Sequence, residues 1–293
     1  MNEDMYVIEN LKCSYDGEDI VLYIERLNIP YGKIVFFVGR SGIGKSTILE
    51  TLGFMNNTIY DSNDSSKFVY KGENVLNAWK FWNDEKMSAF RNNNFSFVFQ
   101  QNNLMPNFSA LQNVMITAMI QGKSYMEAED EAQRIINMLW GIDAGEERKN
   151  EKDKPISEWS GGEKQRLAFA RAILPKFSVI FGDEPTGNLD ASTAERLMKV
   201  LVDSLSIKKN EEKDNNATAI IVSHDIKLAV DNADMIVFIQ NKPVLNTISK
   251  RKFIGYINDE SIYKKDNDVW YHLGQKIEKK ECIYNELLDK LKK

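Results

Sequence analysis

The chain has 293 residues, which is enough for one large domain or two small ones. With 43% hydrophobic residues, 28% charged residues and a formal net charge of −5, the composition excludes a disordered chain, a collagen-like chain and a strongly basic nucleic-acid binder. Two cysteines do not make a disulfide framework. Because no uncharged apolar run reaches about 18 residues and the acidic N-terminus lacks a signal-peptide core, we expect a cytosolic chain without a transmembrane segment.

Strand and helix patterns alternate along the chain. Several of the strand patterns are continuous apolar runs, which are typical of strands buried on both faces of a parallel sheet. In chain order, strands are predicted at 5–11, 20–29, 34–38, 95–99, 179–181, 219–222 and 235–239. The helical patterns between them indicate an α/β domain.

The stretches between these strands predict loops and a helical insert. Residues 56–67 are rich in Asn, Asp and Ser and predict a surface loop, whereas 145–154 form a charged linker. Residues 111–140 favour helix, with a break at Gly122. We therefore expect a helical insert over about 102–174.

The C-terminal stretch has a different charge balance. Residues 241–293 carry 12 basic and 8 acidic side chains, which fits either a solvated tail or contact with an anionic surface. Its last part predicts a terminal helix that packs on the protein. The apolar residues near helical spacing are Ile277, Tyr284, Leu287, Leu288 and Leu291.

The strongest motif lies between the strand at 34–38 and a helix predicted over 47–54. It fits the phosphate-loop pattern G-x-x-x-x-G-K-[ST] with Gly39, Arg40, Ser41, Gly42, Ile43, Gly44, Lys45 and Ser46. Glycines let the backbone curl so that N–H groups point at phosphate oxygens, and the helix N-terminus favours anions. Lys45 supplies a positive charge and Ser46 a hydroxyl for Mg²⁺. The motif predicts nucleotide binding.

A second chemical motif ends the apolar strand near residue 182. P-loop enzymes need a strand-end acid for the metal shell, a role that suits Asp183. Glu184 stands beside it, where it could polarise an attacking water as a general base. Strand-end acids alone are weak evidence, but together with the phosphate loop they predict nucleotide hydrolysis.

A third segment begins a helix at Gly161. Ser160 is a good N-cap, and Glu163 three residues later completes a capping box. A helical apolar face follows, and Pro175 ends the helix. From the residues alone, this is either an ordinary capped helix or a helix N-terminus that binds an anion.

These motifs together resemble the ATP-binding subunit of an ABC transporter over residues 5–245. Residues 39–46 resemble Walker A, 159–163 the LSGGQ signature, 183–184 Walker B with its catalytic glutamate, and 188–190 the D-loop.

Three single residues extend the resemblance. Gln100 is similar to the Q-loop glutamine, His224 to the switch histidine and Tyr15 to the aromatic residue that stacks on adenine. The resemblance implies catalytic roles for Glu184, His224 and Gln100. It implies metal binding by Ser46, Gln100 and Asp183. It implies nucleotide binding by Tyr15, Gly39, Arg40, Ser41, Gly42, Ile43, Gly44, Lys45, Ser46, Thr47, Ser160, Gly161, Gly162, Glu163 and Asp190.

The resemblance also implies a fold and partners. We expect an α/β fold: a P-loop NTPase core with a mixed, mainly parallel sheet, an antiparallel β subdomain and an inserted α-helical subdomain. The ABC ATPase domain would span 1–245, and 246–293 would be a C-terminal extension of unknown role. ATP and Mg²⁺ are the expected cofactors. The expected partners are a second ATPase subunit, in a homodimer or a pair, and a separate transmembrane permease that holds the chain at the inner face of the cell membrane. No nucleic acid is expected.

Within the superfamily, residues 97–100, 154–155 and 183–190 look most like the group of lipoprotein-releasing (LolD-like), macrolide-exporting (MacB-like) and cell-division (FtsE-like) ATPases. This group favours export or extraction of a lipid, lipoprotein, peptide or drug-like substrate. An FtsE-like ATPase that signals without transport is an alternative, and a non-transport ABC ATPase is a less favoured one.

Four residues depart from the family pattern. Trp159 stands where Leu is usual, Glu163 where Gln is usual, Ile43 where Ser is common and Gly182 where a larger apolar residue is common. None of them removes a phosphate, metal or base group.

Overall fold

A computed structural model describes residues 4–60, 65–140, 155–187, 189–211, 217–244 and 251–292. The chain divides into two compact units: residues 1–91 with 218–293, and residues 92–217. The predicted linker at 145–154 and Asn188 of the predicted D-loop lie outside the described residues.

The described strands and helices are numbered here in chain order. The strands are β1 (Asp4–Ser14), β2 (Ile20–Pro30), β3 (Ile34–Val38), β4 (Ile59–Tyr60), β5 (Lys67–Tyr70), β6 (Glu73–Asn74), β7 (Phe95–Val98), β8 (Val179–Asp183), β9 (Thr218–Ser223), β10 (Met235–Phe238), β11 (Gln240–Pro243), β12 (Phe253–Ile257), β13 (Ile262–Asp266), β14 (Val269–His272) and β15 (Gln275–Ile277). The helices are α1 (Lys45–Leu52), α2 (Ala78–Phe81), α3 (Asp84–Asn94), α4 (Ala110–Ile120), α5 (Tyr125–Trp140), α6 (Gly161–Ile173), α7 (Ala191–Glu211), α8 (Ile226–Asn232) and α9 (Lys280–Lys292).

The first unit contains an antiparallel sheet built on the long pair β1 and β2. Its strand order is β11-β12-β2-β1-β5-β6, and β4 also pairs with β1. Strand β12 joins its neighbour β2 in parallel. The two long strands bury mainly one face, as expected for a sheet with one face on the core.

A second set of strands in this unit runs in the order β15-β14-β13-β10-β3-β9. Strands β10, β3 and β9 are parallel, and β13 is antiparallel to β10. All five residues of β3 are buried, which agrees with the continuous apolar run at 34–38.

The second unit joins a parallel strand pair to a group of helices. Strands β7 and β8 are in register from Phe95 with Val179 to Val98 with Gly182. Helices α4, α5 and α6 pack on one another. The predicted break at Gly122 is confirmed, because this glycine has φ +92° between α4 and α5.

Three predicted boundaries are wrong in detail. The helix after the phosphate loop begins at Lys45, two residues earlier than predicted. The predicted loop at 56–67 contains β4, which pairs with β1. Ile277 lies in β15 opposite Trp270 instead of in the terminal helix, since strand pairing with β14 competes with helical spacing there.

The segment 74–90 supplies half-buried aromatic residues that pack against the core. Trp82 stacks on Phe54 with ring centroids 6.3 Å apart and lies edge-on to Phe90 at 4.9 Å. Phe54 also stacks on Phe68 of β5 at 5.4 Å. Trp82 is therefore a packing residue.

Candidate nucleotide-binding and hydrolysis site

The phosphate loop connects β3 to α1 through a tightly curled backbone. Gly42 and Gly44 have φ of +74° and +103°, a region in which a side chain would be strained. Lys45 is 9% exposed, and its Nζ donates hydrogen bonds to the carbonyl oxygens of Gly39 and Arg40 at 3.0 and 2.8 Å. The lysine charge is thus held against the loop that would bind phosphate.

The structure explains why Ile43 can replace the serine that is common at this position in the family. Its side chain is buried, with its Cγ2 3.1 Å from the point where a Cβ on Gly39 would lie. The same point is 3.2 Å from the carbonyl oxygen of Ile239, which follows β10. An apolar residue therefore anchors the loop to the core at this position, and Gly39 has little room for a side chain.

Tyr15 follows β1 and lies next to α1. Its hydroxyl donates to the Glu50 carboxylate at 2.6 Å and contacts the Thr47 hydroxyl at 3.2 Å. Partial burial, and then the bond to Glu50, raise the pKa of Tyr15 to about 12, so the phenol stays neutral. The side chain remains 51% exposed and can pack against a planar group.

His224 lies at the same sheet edge as the phosphate loop. It directly follows β9, whose last residue Ser223 is in register with Val38, the residue before Gly39. Because carboxyl ends of parallel strands share one edge, His224 and Gly39 leave the sheet side by side. Asp225 then caps α8 by accepting a hydrogen bond from the Leu228 N–H at 2.9 Å.

The second unit brings three predicted residues together where β7 and β8 end. Gln100 follows β7, Asp183 ends β8, and Glu184 comes next. Gln100 Nε2 lies 3.5 Å from Glu184 Oε2. Glu184 has φ +47°, a backbone conformation uncommon for a residue with a side chain and more frequent at functional sites.

Gln165 is a functional candidate that sequence reasoning missed. This α6 residue is 1% exposed, and its Nε2 donates to the carbonyl oxygens of Pro185 and Glu184 at 2.6 and 3.4 Å. A signal existed in the sequence: Gln165 shares a helical stripe with Ala168 and Ala172, where an amide needs a buried partner. Gln165 positions the backbone that carries Glu184.

The predicted capping box at the start of α6 is confirmed. The Glu163 carboxylate accepts from the Ser160 N–H at 2.9 Å, and the Ser160 hydroxyl oxygen accepts from the Glu163 N–H at 3.3 Å. A Cβ added at Gly161 would meet nothing within 4 Å, so this helix start is open on that side.

Trp159, which replaces the usual leucine of the signature, packs against another aromatic residue. Its ring is buried and lies edge-on to Trp140, the last residue of α5, with centroids 6.0 Å apart. The guanidinium of Arg166 lies over the Trp140 ring at 4.8 Å. The larger residue therefore joins the signature segment to the end of α5.

Asp190 caps the long helix α7. Its carboxylate accepts from the Ser192 hydroxyl at 2.6 Å, the Thr193 hydroxyl at 2.7 Å and the Thr193 N–H at 3.0 Å. These hydrogen bonds, that from Ser192 first, hold the pKa of Asp190 well below its usual range.

The predicted site residues thus form two groups. The first unit holds Tyr15, residues 39–47 and His224. The second unit holds the other predicted site residues, from the Q-loop, signature, Walker B and D-loop segments. They are Gln100, Ser160, Gly161, Gly162, Glu163, Asp183, Glu184 and Asp190.

Comparison with known proteins decides the family. The family profile described as ABC transporter matches residues 25–187. The lipoprotein-releasing system ATP-binding protein LolD of Porphyromonas gingivalis is 37% identical over 220 residues, 75% of this chain and 90% of that protein. The chain belongs to the ABC transporter ATP-binding family.

Other relatives of this ABC ATPase agree with the predicted subgroup. The macrolide export ATP-binding/permease protein MacB of Mannheimia succiniciproducens is 31% identical over 84% of this chain, which spans 35% of that longer protein. The dimeric structure of MJ0796, a bacterial ABC transporter cassette, superposes with a TM-score of 0.62 at 27% identity over 80% of this chain and 94% of that one. The P-loop α/β fold is confirmed.

The same comparison supports the enzymatic assignment of the ABC ATPase. A post-hydrolysis state of the MJ0796 cassette, bound to ADP and Pi, superposes with a TM-score of 0.61 at 28% identity over 80% of this chain and 94% of that one.

Among the described residues, no helix combines the length and the apolar character needed to span a membrane.

Proposed function

We propose that two copies of this ABC ATPase bind ATP with Mg²⁺ face to face and hydrolyse it to drive a separate transmembrane permease at the inner face of the cell membrane. The observation that carries the proposal is the location of the two groups of site residues. The phosphate loop with Tyr15 and His224 belongs to one compact unit, and the signature with Gln100 and Glu184 to the other.

Tyr15 packs against adenine in this proposal, and the loop amides of 39–47 bind the phosphates with Lys45 neutralising their charge. In the dimer, the open helix start at Ser160 supplies a second anion cradle to the partner's ATP.

The donor set for a cation consists of oxygens: the Ser46 hydroxyl, the Gln100 side-chain oxygen and the Asp183 carboxylate. Oxygen donors of this kind suit Mg²⁺, which neutralises charge on phosphate oxygens when bound. Glu184 accepts a proton from the attacking water, and Gln165 holds the Glu184 backbone in place. His224 contacts the γ-phosphate beside the base and water.

Glu184→Gln tests the assignment of the base. We expect turnover to fall by about 10²- to 10⁴-fold, the usual contribution of general acid–base catalysis, while ATP binding and an ATP-dependent dimer persist. Glu195→Gln, an exposed change on α7, is the matched control and should retain activity. Unchanged turnover in Glu184→Gln would exclude Glu184 as the base.

Lys45→Ala tests the phosphate loop, with Lys199→Ala as the control of equal charge. Tight ATP binding should be lost only in Lys45→Ala.

Capture of the Glu184→Gln chain from its native membranes with ATP and Mg²⁺ tests the membrane partner. A multi-span permease is expected, and recovery of a soluble dimer alone would contradict a role in transport.

The proposed cargo follows from the relatives. The LolD relatives are described as parts of lipoprotein-releasing systems and MacB as a macrolide exporter. We therefore propose export or extraction of a lipid, lipoprotein, peptide or drug-like substrate, selected by the permease.

A further inference from the structure

A cavity of about 290 Å³ lies beside Tyr15 in the first unit. Its lining combines an aromatic ring, an apolar side chain, two carboxylates and a guanidinium. This volume is near the lower end for ligand pockets and suits one planar heterocycle better than a large molecule. The lining residues are Tyr15, Asp16, Asp19, Val21 and Arg251.

Arg251 comes from the C-terminal segment, beyond the region matched by the family profile. It lies two residues before β12, which pairs in parallel with β2 from Gly255 opposite Leu22. The Val244 N–H also donates to the Lys252 carbonyl oxygen at 3.0 Å. Pairing on these two sides keeps Arg251 next to the turn between β1 and β2.

Strand β12 also packs closely against the phosphate loop. A Cβ added at Gly255 would lie 2.2 Å from the carbonyl oxygen of Ile43 and 2.9 Å from Cδ1 of Leu22, distances at which the backbone would have to shift. Only glycine permits this approach. The position of β12, and with it Arg251, is therefore tied to the loop that binds phosphate.

The charges in the cavity suit a neutral base with amino donors. The Asp16 carboxylate accepts from the backbone N–H groups of Asp19 and Glu18 and from the Ser14 hydroxyl. These bonds, that from Asp19 first, lower the pKa of Asp16 to about 2, so a carboxylate is present at neutral pH. A carboxylate accepts from an amino group, and a planar guanidinium stacks on or donates to a heterocycle.

We propose that Arg251 is a base-recognition residue of the nucleotide site, which contacts the adenine of ATP together with Tyr15. The C-terminal segment is then part of the binding site. This inference rests on the proposed ATP-binding function, and the two can fail separately: if the unmodified chain binds no ATP, the proposed function fails first.

The test compares ATP with inorganic tripolyphosphate, which has the charged chain but no base. Calorimetry of the full chain with Mg²⁺ should show that Arg251→Ala weakens ATP binding by about 5- to 30-fold, the range for a partly desolvated cation–π contact. KM for ATP should rise by a similar factor. The value of kcat should change by less than about 2-fold, as expected for loss of uniform binding. Tripolyphosphate binding should stay unchanged.

Lys252→Ala is the matched control, because it removes the same charge one residue away and outside the cavity lining. It should match the unmodified chain with both ligands. Arg251→Lys keeps the charge but lacks the planar fork, so we expect ATP binding to remain weakened.

Two results would overturn the inference. Equal losses for ATP and tripolyphosphate would mean that Arg251 acts only through long-range attraction of phosphate. Unchanged ATP affinity in Arg251→Ala, or full affinity in Arg251→Lys, would mean that its guanidinium does not contact the base. If Arg251→Ala lowers the unfolding temperature without nucleotide, the Arg251→Lys measurement decides.

Discussion

Gln165 shows how one buried amide can hold the backbone of Glu184, the proposed catalytic base. Its Nε2 donates to the carbonyl oxygens of Glu184 and Pro185, and Glu184 itself has positive φ. A backbone in that conformation persists when its surroundings hold it there. The position of the Glu184 carboxylate therefore depends on a buried α6 side chain that bonds the Glu184 backbone.

Gln165→Leu should separate this role from simple packing. Removing the amide leaves a buried carbonyl oxygen without its donor, which costs about 1–3 kcal/mol of the free energy of unfolding. We expect kcat to fall at least about 10-fold, because a rise of about 1.4 kcal/mol in the activation free energy slows a reaction tenfold. The Kd for ATP should be unchanged. Steady-state kinetics and ATP titration measure the two effects.

The exposed Gln275→Leu is the control for this change of side chain. Wild-type kcat in Gln165→Leu, despite a lower unfolding temperature, would limit Gln165 to a structural role.

At the scale of elements, the contact between the end of α5 and the start of α6 explains the unusual signature. Trp159 lies edge-on to Trp140, and the Arg166 guanidinium lies over the Trp140 ring. Aromatic pairs of this geometry contribute about 0.5–1.5 kcal/mol beyond the area that they bury. The tryptophan thus stabilises the start of the helix that carries Ser160.

Trp159→Leu, which restores the usual family residue, should destabilise this chain because Trp140 loses its edge-on contact with Trp159 and a cavity remains. We expect the free energy of unfolding to fall by about 1–3 kcal/mol in urea titrations. Trp79→Leu, which changes a half-buried tryptophan in the first unit, is the comparison. Equal or higher stability of Trp159→Leu would show that the aromatic pair is dispensable.

At the scale of the whole molecule, the C-terminal segment completes the first unit. Strand β12 pairs with β2, β13 pairs with β10, and α9 packs on α8. Apolar side chains of the segment are fully or almost fully buried, which favours packing over a solvated tail. They include Tyr263, Trp270, Ile283 and Leu287.

A chain ending at residue 244 should therefore fold poorly. Its β2 and β10 would become unpaired edges, a known cause of aggregation, and the apolar surface under α9 would be exposed. Soluble yield and thermal unfolding measure this effect. The double variant Lys276→Ala/Lys279→Ala removes exposed charge from the intact segment and should fold normally. A soluble, cooperatively unfolding chain of 244 residues would contradict the packing role.

Local patterns in the sequence predicted much of this ABC ATPase. The phosphate loop, the buried strand at 34–38, the break at Gly122 and the capping box at Ser160 each depend on residues within a few positions of one another. Such short-range signals arise from backbone conformation and helical or strand spacing, which neighbouring residues determine. The order of these motifs then indicated the family.

Contacts between distant residues needed the tertiary structure. Gln165 meets Glu184 across 19 positions, Arg251 lines the cavity beside Tyr15, and Ile277 pairs with Trp270 in place of joining a helix. Which strands pair, and in which register, depends on burial and pairing over the whole unit and not on local spacing. The motifs were therefore readable in the sequence, whereas the contacts by which other residues position them were visible only in the fold.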